Sequence, residues 1–273
     1  MQTFPPFKQW SSLPGVSILC PTYGRAARLP GLIQSYLEQD YQGPLELIIL
    51  NDRHDQSFQL PPVAKPVSII NITEQFPTLG DKRNRLVALA QYPYVAWWDD
   101  DDRYLPTRIS RGMGTIRQRY RGSLEGWIWL NDGKALTLQR PWSPFANAII
   151  EKQAIIDAGG FPSLQMHQDV ALMQVLVHKL NTFHAEPDLV FPTTIYRKPG
   201  TSNHTHVGQY SDPSNNAAAR AYMQGSVDVR IADGLEPSGT ITLLPKWGVD
   251  YVALAQAAWD AIRPTSPPVT THA

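Results

Sequence analysis

Residues 94–106 read YVAWWDDDDRYLP, and the interpretation of this stretch decides the fold. Tyr94 to Trp98 is an apolar run of strand length, so it predicts a buried β-strand. It runs directly into Asp99, Asp100, Asp101 and Asp102. Four adjacent carboxylates are costly: charges about 4 Å apart repel by roughly 1 kcal/mol in water and several-fold more near a protein surface. A divalent cation relieves that repulsion, and hard oxygen ligands suit Mg2+ or Mn2+. An acidic run taken alone is as readily a solvated loop. Its position behind a buried strand favours a cation site.

Upstream, Val16–Cys20 (VSILC) and Leu45–Leu50 (LELIIL) are further buried strands, and Val67 to Ile72 is another candidate. Between them, Leu29, Leu32, Ile33, Tyr36 and Leu37 recur at helical spacing, with Pro30 tolerable in a first turn. Gly80 to Ala90 (GDKRNRLVALA) predicts a second helix. Strand and helix therefore alternate, which favours a parallel α/β sheet covered on both faces. Ligands of such sheets sit beyond the carboxyl ends of the strands. Three of those ends are polar here: Thr22-Tyr23, Asn51-Asp52 and the aspartate run.

Downstream the pattern is less regular. Pro106 to Tyr120 predicts a helix, Trp127 to Leu130 a strand, and Ala146 to Ile150 leads into a short helix stopped by Gly159-Gly160. Helices are also predicted over Asp169–Leu180 and Val249–Ile262, and the last ten residues (PTSPPVTTHA) read as a disordered tail. The expected division is a nucleotide-sugar half (1–106), an acceptor and catalytic-base half of the same domain (107–210), a helical extension (211–263) and the tail (264–273).

Lys plus Arg equal Asp plus Glu, 24 each, which argues against a protein held mainly by nucleic acid or an anionic membrane. The single cysteine, Cys20, excludes an internal disulfide framework and fits a reducing compartment. The first residues lack a signal-peptide pattern, and no stretch approaches the roughly 20 apolar residues of a spanning helix. A cytoplasmic protein without a transmembrane segment is expected.

Four blocks, VSILCPTYGRAARL, LELIILND, GDKRNRLVALA and YVAWWDDDDRYLP, together resemble the signature of glycosyltransferase family 2. The resemblance runs in order over about residues 15 to 106 and more loosely to about 208. It implies the GT-A fold, a mostly parallel Rossmann-like sheet with helices on both faces and a smaller acceptor-side half. It also implies an inverting transferase using a nucleoside-diphosphate sugar, with a UDP-sugar favoured, and Mn2+ or Mg2+. The acceptor would be a glycan, a lipid-linked or another hydroxyl compound.

Carried over residue by residue, Pro21, Thr22, Tyr23 and Arg25 match the loop that lines the nucleotide, and Asp52 matches the acid that contacts the base. Arg53-His54 stand where many members have Gly-Ser, which leaves the base identity open. Lys82, Arg83 and Asn84 match the helix start facing the nucleotide, although two cations there also suit a solvated helix face. Registered against Pro106, the family's Asp-x-Asp falls on Asp99 and Asp101. Asp101 is the first choice for the metal, with Asp99 beside it, and Asp99 or Asp100 meets the ribose or a metal-bound water. The extra aspartate leaves that register ambiguous by one.

Inversion needs a base for the acceptor hydroxyl. Gly159-Gly160-Phe161 followed by His167-Gln168-Asp169 resembles the family's Gly-Gly-Phe segment and its later Glu-Asp or x-Asp pair, which assigns the base to Asp169, with Gln168 departing from the frequent glutamate. A carboxylate there also suits a helix N-terminus on dipole grounds alone, and His167 is an alternative base. In TTIYRKPGTSNHTH (193–206), His204 matches a histidine that completes the metal site, with His206 competing and Tyr196 and Arg197 as weaker candidates. The arginines at 103, 108, 111, 117, 119 and 121, with no acid among them, read as a solvated helix face or as an attractor for an anionic acceptor. Trp142 lies where a sugar could stack.

Two other classes compete. A nucleotidyltransferase would show a Gly-rich basic loop after the first strand, whereas PTYGRAARL holds one glycine. A non-catalytic nucleotide- or glycan-binding module would have no need of Asp52, the aspartate run and Asp169 together.

Overall fold

The computed structural model describes residues 10–117, 120–131, 135–141, 145–178, 183–185, 191–197, 239–240, 243 and 249–262. The apolar runs become the centre of a seven-stranded sheet. Its strands are β1 (Val16–Thr22), β2 (Leu45–Asn51), β4 (Val67–Asn71), β5 (Tyr94–Trp97), β7 (Gly122–Leu124), β10 (Ala148–Glu151) and β11 (Phe183–Ala185). Their order is β11-β7-β10-β5-β1-β2-β4. The four strands from β5 to β4 are parallel, with Val16 opposite Leu45 and Tyr94, and Leu47 opposite Val67. Strand β10 pairs antiparallel to both β5 and β7, and β11 returns parallel to β7. The sheet is therefore mostly parallel, as expected.

Both faces of the central strands are buried, which is why these strands are continuous apolar runs rather than alternating ones. On one face Ile18, Cys20, Leu47, Ile49, Ala96 and Trp98 pack together. Helices α1 (Leu29–Leu37) and α3 (Arg108–Arg117) cover it through Leu32, Ile33, Tyr36, Ile109, Met113 and Ile116. Leu19, Ile48, Leu50, Val95 and Trp97 point the other way. They meet α2 (Leu79–Leu89), α4 (Lys152–Asp157) and α5 (Gln168–His178) through Leu86, Val87, Ile155, Leu172 and Leu176. At about 2–5 kcal/mol for truncating one buried aliphatic side chain to alanine, this two-faced core dominates the stability of the fold.

A second sheet is built from β6 (Arg103–Tyr104), β8 (Ile128–Asn131), β9 (Leu136–Gln139) and β12 (Thr194–Arg197), in the order β6-β12-β8-β9. Helix α6 (Tyr251–Ile262) closes on it through Ala255, with Trp259 against Trp129 and Phe191. A short ladder of β3 (Phe58–Gln59) with β13 (Gly239–Thr240) links the C-terminal segment to the first half.

Boundaries differ from the expectation by a few residues. The helix expected from Pro106 starts at Arg108, because Arg108 N–H first closes a turn onto Leu105 O. The helix expected from Asp169 begins one residue earlier, at Gln168, and the C-terminal helix begins at Tyr251 rather than Val249. Gly159 and Gly160 take φ of 86° and 77°, the left-handed conformation that stops α4. The tail from 264 lies outside the described residues.

Candidate functional site

Strand ends β2, β1 and β5 are neighbours, so the topology sets Asp52, Thr22 and Asp99 side by side. The chain leaves β1 through a turn at Gly24 (φ 70°), a value that favours glycine. Arg25 then folds back. Its Nε lies 3.0 Å from Asp100 Oδ2, a second guanidinium nitrogen pairs with Asp100 Oδ1, and a third lies 3.3 Å from Asp101 Oδ2. Thr22 Oγ1 donates to Asp100 Oδ2 at 2.6 Å. Asp100 is thus fully buried and turned inward. Asp100 anchors the loop, and of the two residues expected to meet ribose or a metal-bound water only Asp99 is partly exposed.

The aspartate turn is held by aromatic rings on either side of it. Trp98 and Tyr104 stack with centroids 4.0 Å apart and planes 5° apart. Asp99 N–H donates to Tyr104 Oη at 2.8 Å. Burial, then the charges of Asp102 and Asp99, push the Tyr104 phenol well up. Asp99 and Asp101 remain partly exposed at the turn. Burial pushes the Asp99 carboxyl up to about 6, with Asp101 and Asp100 adding to the rise and Arg83 and Arg25 opposing it. The partly exposed carboxylate oxygens of Asp99 and Asp101 at the turn are hard donors of the type that suits a divalent ion. Among the described residues no cluster of three or more His, Cys, Asp and Glu forms a ready metal cage, and His204, the expected further ligand, lies outside those residues.

Lys82 and Arg83 are not a solvated face. Lys82 is fully buried and donates to Asp52 Oδ1 and to Thr22 O, each at 2.5 Å. Burial lowers its pKa, and Asp52 opposes the shift. Asp52, equally buried, also accepts from Phe76 N–H at 3.1 Å. Lys82 therefore holds Asp52 in place. Asn84 turns to the neighbouring loop. Its Nδ2 donates to Phe161 O and its Oδ1 accepts from Phe161 N–H, both at 2.8 Å. These bonds make it a clamp on the Gly-Gly-Phe loop.

That loop also occupies the start of α2. Thr78 caps the helix by accepting from Asp81 N–H. Leu79 N–H and Gly80 N–H donate to Gln165 Oε1 (2.8 Å) and Leu164 O (3.1 Å). A Cβ on Gly80 would stand 1.9 Å from Pro162 O, so only glycine admits this approach. The helix start is thus packed against the Gly-Gly-Phe loop.

Asp169 lies in the first turn of α5. His167, just before it, takes φ of 59° and is exposed. A left-handed non-glycine residue costs roughly 1–2 kcal/mol, and this one aims Gln168 inward and leaves Asp169 partly buried. Arg83 Nη1 donates to Gln168 Oε1 at 2.7 Å and stands 3.9 Å from Asp169 Oδ2. Arg83 thereby brings Asp169 to the aspartate side of the sheet. Tyr196 joins the group: Thr194 pairs with Tyr104 and Ile195 with Arg103 on β6. Burial, then Asp102, Asp99 and Asp169 in turn, raise its phenol well above the usual range.

The model of the family described as glycosyl transferase family 2 matches residues 17–161, just over half the chain. The chain belongs to glycosyl transferase family 2. A relative in Escherichia coli (strain K12), provisionally named colanic acid biosynthesis glycosyl transferase WcaA, is 33% identical over 101 residues. That match covers 36% of each chain. Among solved structures, S. aureus TarS 1-349 in complex with UDP has a TM-score of 0.53 at 17% identity, covering 68% of this chain and 61% of that one. The same protein in complex with UDP-GlcNAc gives 0.50 at 15% identity, covering 67% and 58%. Family and fold, a mixed α/β GT-A architecture, thus agree with the sequence resemblance.

The arginine run does not form one cationic strip. Arg108 is buried against Asn147 O and Glu125, Arg111 reaches Phe191 O, and Arg121 pairs with Glu151 and Asp157 at 2.7 Å each. Arg117 is exposed. Arg119, Trp142 and His206 lie outside the described residues, as does the Arg197 side chain. Tyr104 and Gly80 were missed in the sequence. The aromatic pair bracketing the aspartates was a usable signal for the first, whereas nothing local marks Gly80.

Proposed function

We propose that this chain transfers a sugar from a nucleoside-diphosphate donor to a hydroxyl acceptor with inversion at the anomeric carbon. The observation that carries this is the meeting of Asp52, Asp99 and Asp101 at adjacent parallel strand ends, with Asp169 held to the same side by Arg83. UDP-sugars are the favoured donors, supported by the UDP and UDP-GlcNAc complexes of TarS. Pro21, Tyr23 and the buried Asp52 would receive the nucleotide. Asp99 and Asp101 would hold Mn2+ or Mg2+, with His204 as the expected further ligand. When bound, the ion would neutralise charge on the departing diphosphate. The acceptor would be a glycan, lipid-linked or other hydroxyl compound.

Chemically, the acceptor oxygen forms the new bond to the anomeric carbon as the bond to the diphosphate breaks on the opposite face. Asp169 takes the hydroxyl proton, and the leaving diphosphate carries away the electron pair. No helix among the described residues is long and apolar enough to cross a membrane. The single buried thiol and the choice of donor support a cytoplasmic setting.

Donor binding and turnover with UDP-, GDP- and dTDP-sugars and Mn2+ test the proposal. Asp101→Ala is expected to abolish metal-dependent donor binding. Asp169→Asn is expected to keep binding and lose roughly 10²–10⁴-fold in transfer. Wild-type turnover in Asp169→Asn would remove the base, and no binding or turnover with any donor would remove the function.

A further inference from the structure

Arg25 reaches two neighbouring carboxylates of the aspartate turn at once. Its Nε donates to Asp100 Oδ2 at 3.0 Å, one terminal nitrogen pairs with Asp100 Oδ1, and the other stands 3.3 Å from Asp101 Oδ2. The two-point pairing with Asp100 fixes the plane of the guanidinium, and Thr22 Oγ1 donates to the same carboxylate at 2.6 Å. Asp100 is fully buried and the Arg25 side chain is 16% exposed, so water and salt screen the pair little. Burial disfavours the charge on Arg25, and Asp100, Asp101 and Asp99, in that order, more than restore it. The guanidinium charge is thus felt by all three acids.

A fixed positive charge beside Asp101 repels a second cation on that carboxylate, whichever of its oxygens the ion takes. Asp100 cannot ease this by turning to the ion, since it is buried and both of its oxygens are already bonded. We infer that Arg25 is a built-in counter-ion of the aspartate turn: it keeps the turn from holding a divalent cation by itself, so that the cation is taken together with the diphosphate of the donor. This rests on the proposal that Asp99 and Asp101 hold the metal. The diphosphate brings negative charge that offsets the guanidinium, and oxygens that complete the hard donor set. Arg25 belongs to the loop that follows β1, so the same side chain adjoins the segment proposed for the nucleotide.

Mn2+ binding, read from the electron paramagnetic resonance signal of the free ion, tests this in nucleotide-free protein and again with saturating UDP. Wild type is expected to bind Mn2+ about tenfold or more weakly without UDP than with it. Arg25→Gln removes the charge and leaves an amide that can donate to Asp100, so nucleotide-free Mn2+ should bind about tenfold more tightly. Asp100→Asn keeps the positive charge and removes a negative one, so binding should weaken about tenfold. The double variant should return to within about threefold of wild type. A ligand role for Asp100 predicts no such rescue, and a purely structural role for Arg25 predicts weaker binding in Arg25→Gln. Unchanged or weaker nucleotide-free binding in Arg25→Gln, a double variant no better than Asp100→Asn, or a wild type that binds UDP yet holds Mn2+ equally tightly without it would overturn the inference. The wild-type comparison decides even where a variant fails to fold. Mn2+ binding that survives Asp101→Ala in the Arg25→Gln protein would instead strike the metal assignment, and no binding of UDP would strike the donor reading, so the failures are distinguishable.

Discussion

Lys82→Met severs the pair that sets Asp52 at the end of β2. The ammonium is fully buried, with Asp52 Oδ1 and Thr22 O each at 2.5 Å. Removing one member of a buried ion pair costs about 3–5 kcal/mol, because the remaining charge is stranded. Thr22 O also loses a donor, worth about 1 kcal/mol. Asp52 keeps Phe76 N–H, which tempers the loss, so about 4 kcal/mol is expected. For a chain of this size that is a fall of roughly 8–16 °C in Tm. Asp52→Asn with Lys82→Met removes both charges, and the amide retains an oxygen for Phe76. The double variant should recover about 2 kcal/mol of the single variant's loss. Calorimetry and urea unfolding of wild type, both single variants and the double variant complete the cycle. A Lys82→Met protein melting within about 2 °C of wild type, or a double variant with no recovery, would refute the view that Lys82 acts through its charge on Asp52.

Gly80→Ala should destabilise by about 2–4 kcal/mol, since the new Cβ falls 1.9 Å from the carbonyl of Pro162, a backbone atom that cannot simply rotate away. Unfolding midpoints check this, and limited proteolysis should show earlier cleavage within 159–167. His167→Gly relieves the left-handed backbone at φ 59° and should leave stability unchanged or raise it by up to about 1 kcal/mol. Transfer should survive that change; its loss would move the base from Asp169 to His167.

The central strands were legible because strands buried on both faces are written as unbroken apolar runs, and their polar ends mark the ligand side. Val16–Cys20, Leu45–Leu50 and Tyr94–Trp98 each fall on an observed strand to within two residues. Strands β7 and β11, three residues each, carry no periodicity and exist only through partners distant in the chain. The site divides the same way. Asp52, the aspartate run and Asp169 stand out as candidates by residue type and place, whereas the pairing of Arg25 with Asp100 depends on a partner 75 residues away. Lys82 and Arg83 could not be told from an exposed helix face, because their burial depends on Asp52, Gln168 and three aromatic rings elsewhere in the chain. Asn84 likewise meets its partner 77 residues away.

The interlock between α2 and the Gly-Gly-Phe loop governs how parts of this protein can be exchanged. Gly80 against Pro162, Asn84 around Phe161, and Asp81 bonded to Ser163 at 2.8 Å make residues 78–84 and 159–169 a matched set. A chimera importing residues 159–169 from a relative, without the helix start that receives them, would carry a mismatched seam between the two segments. The two segments form one packed unit, and crossover points for exchanging parts of the chain belong outside both.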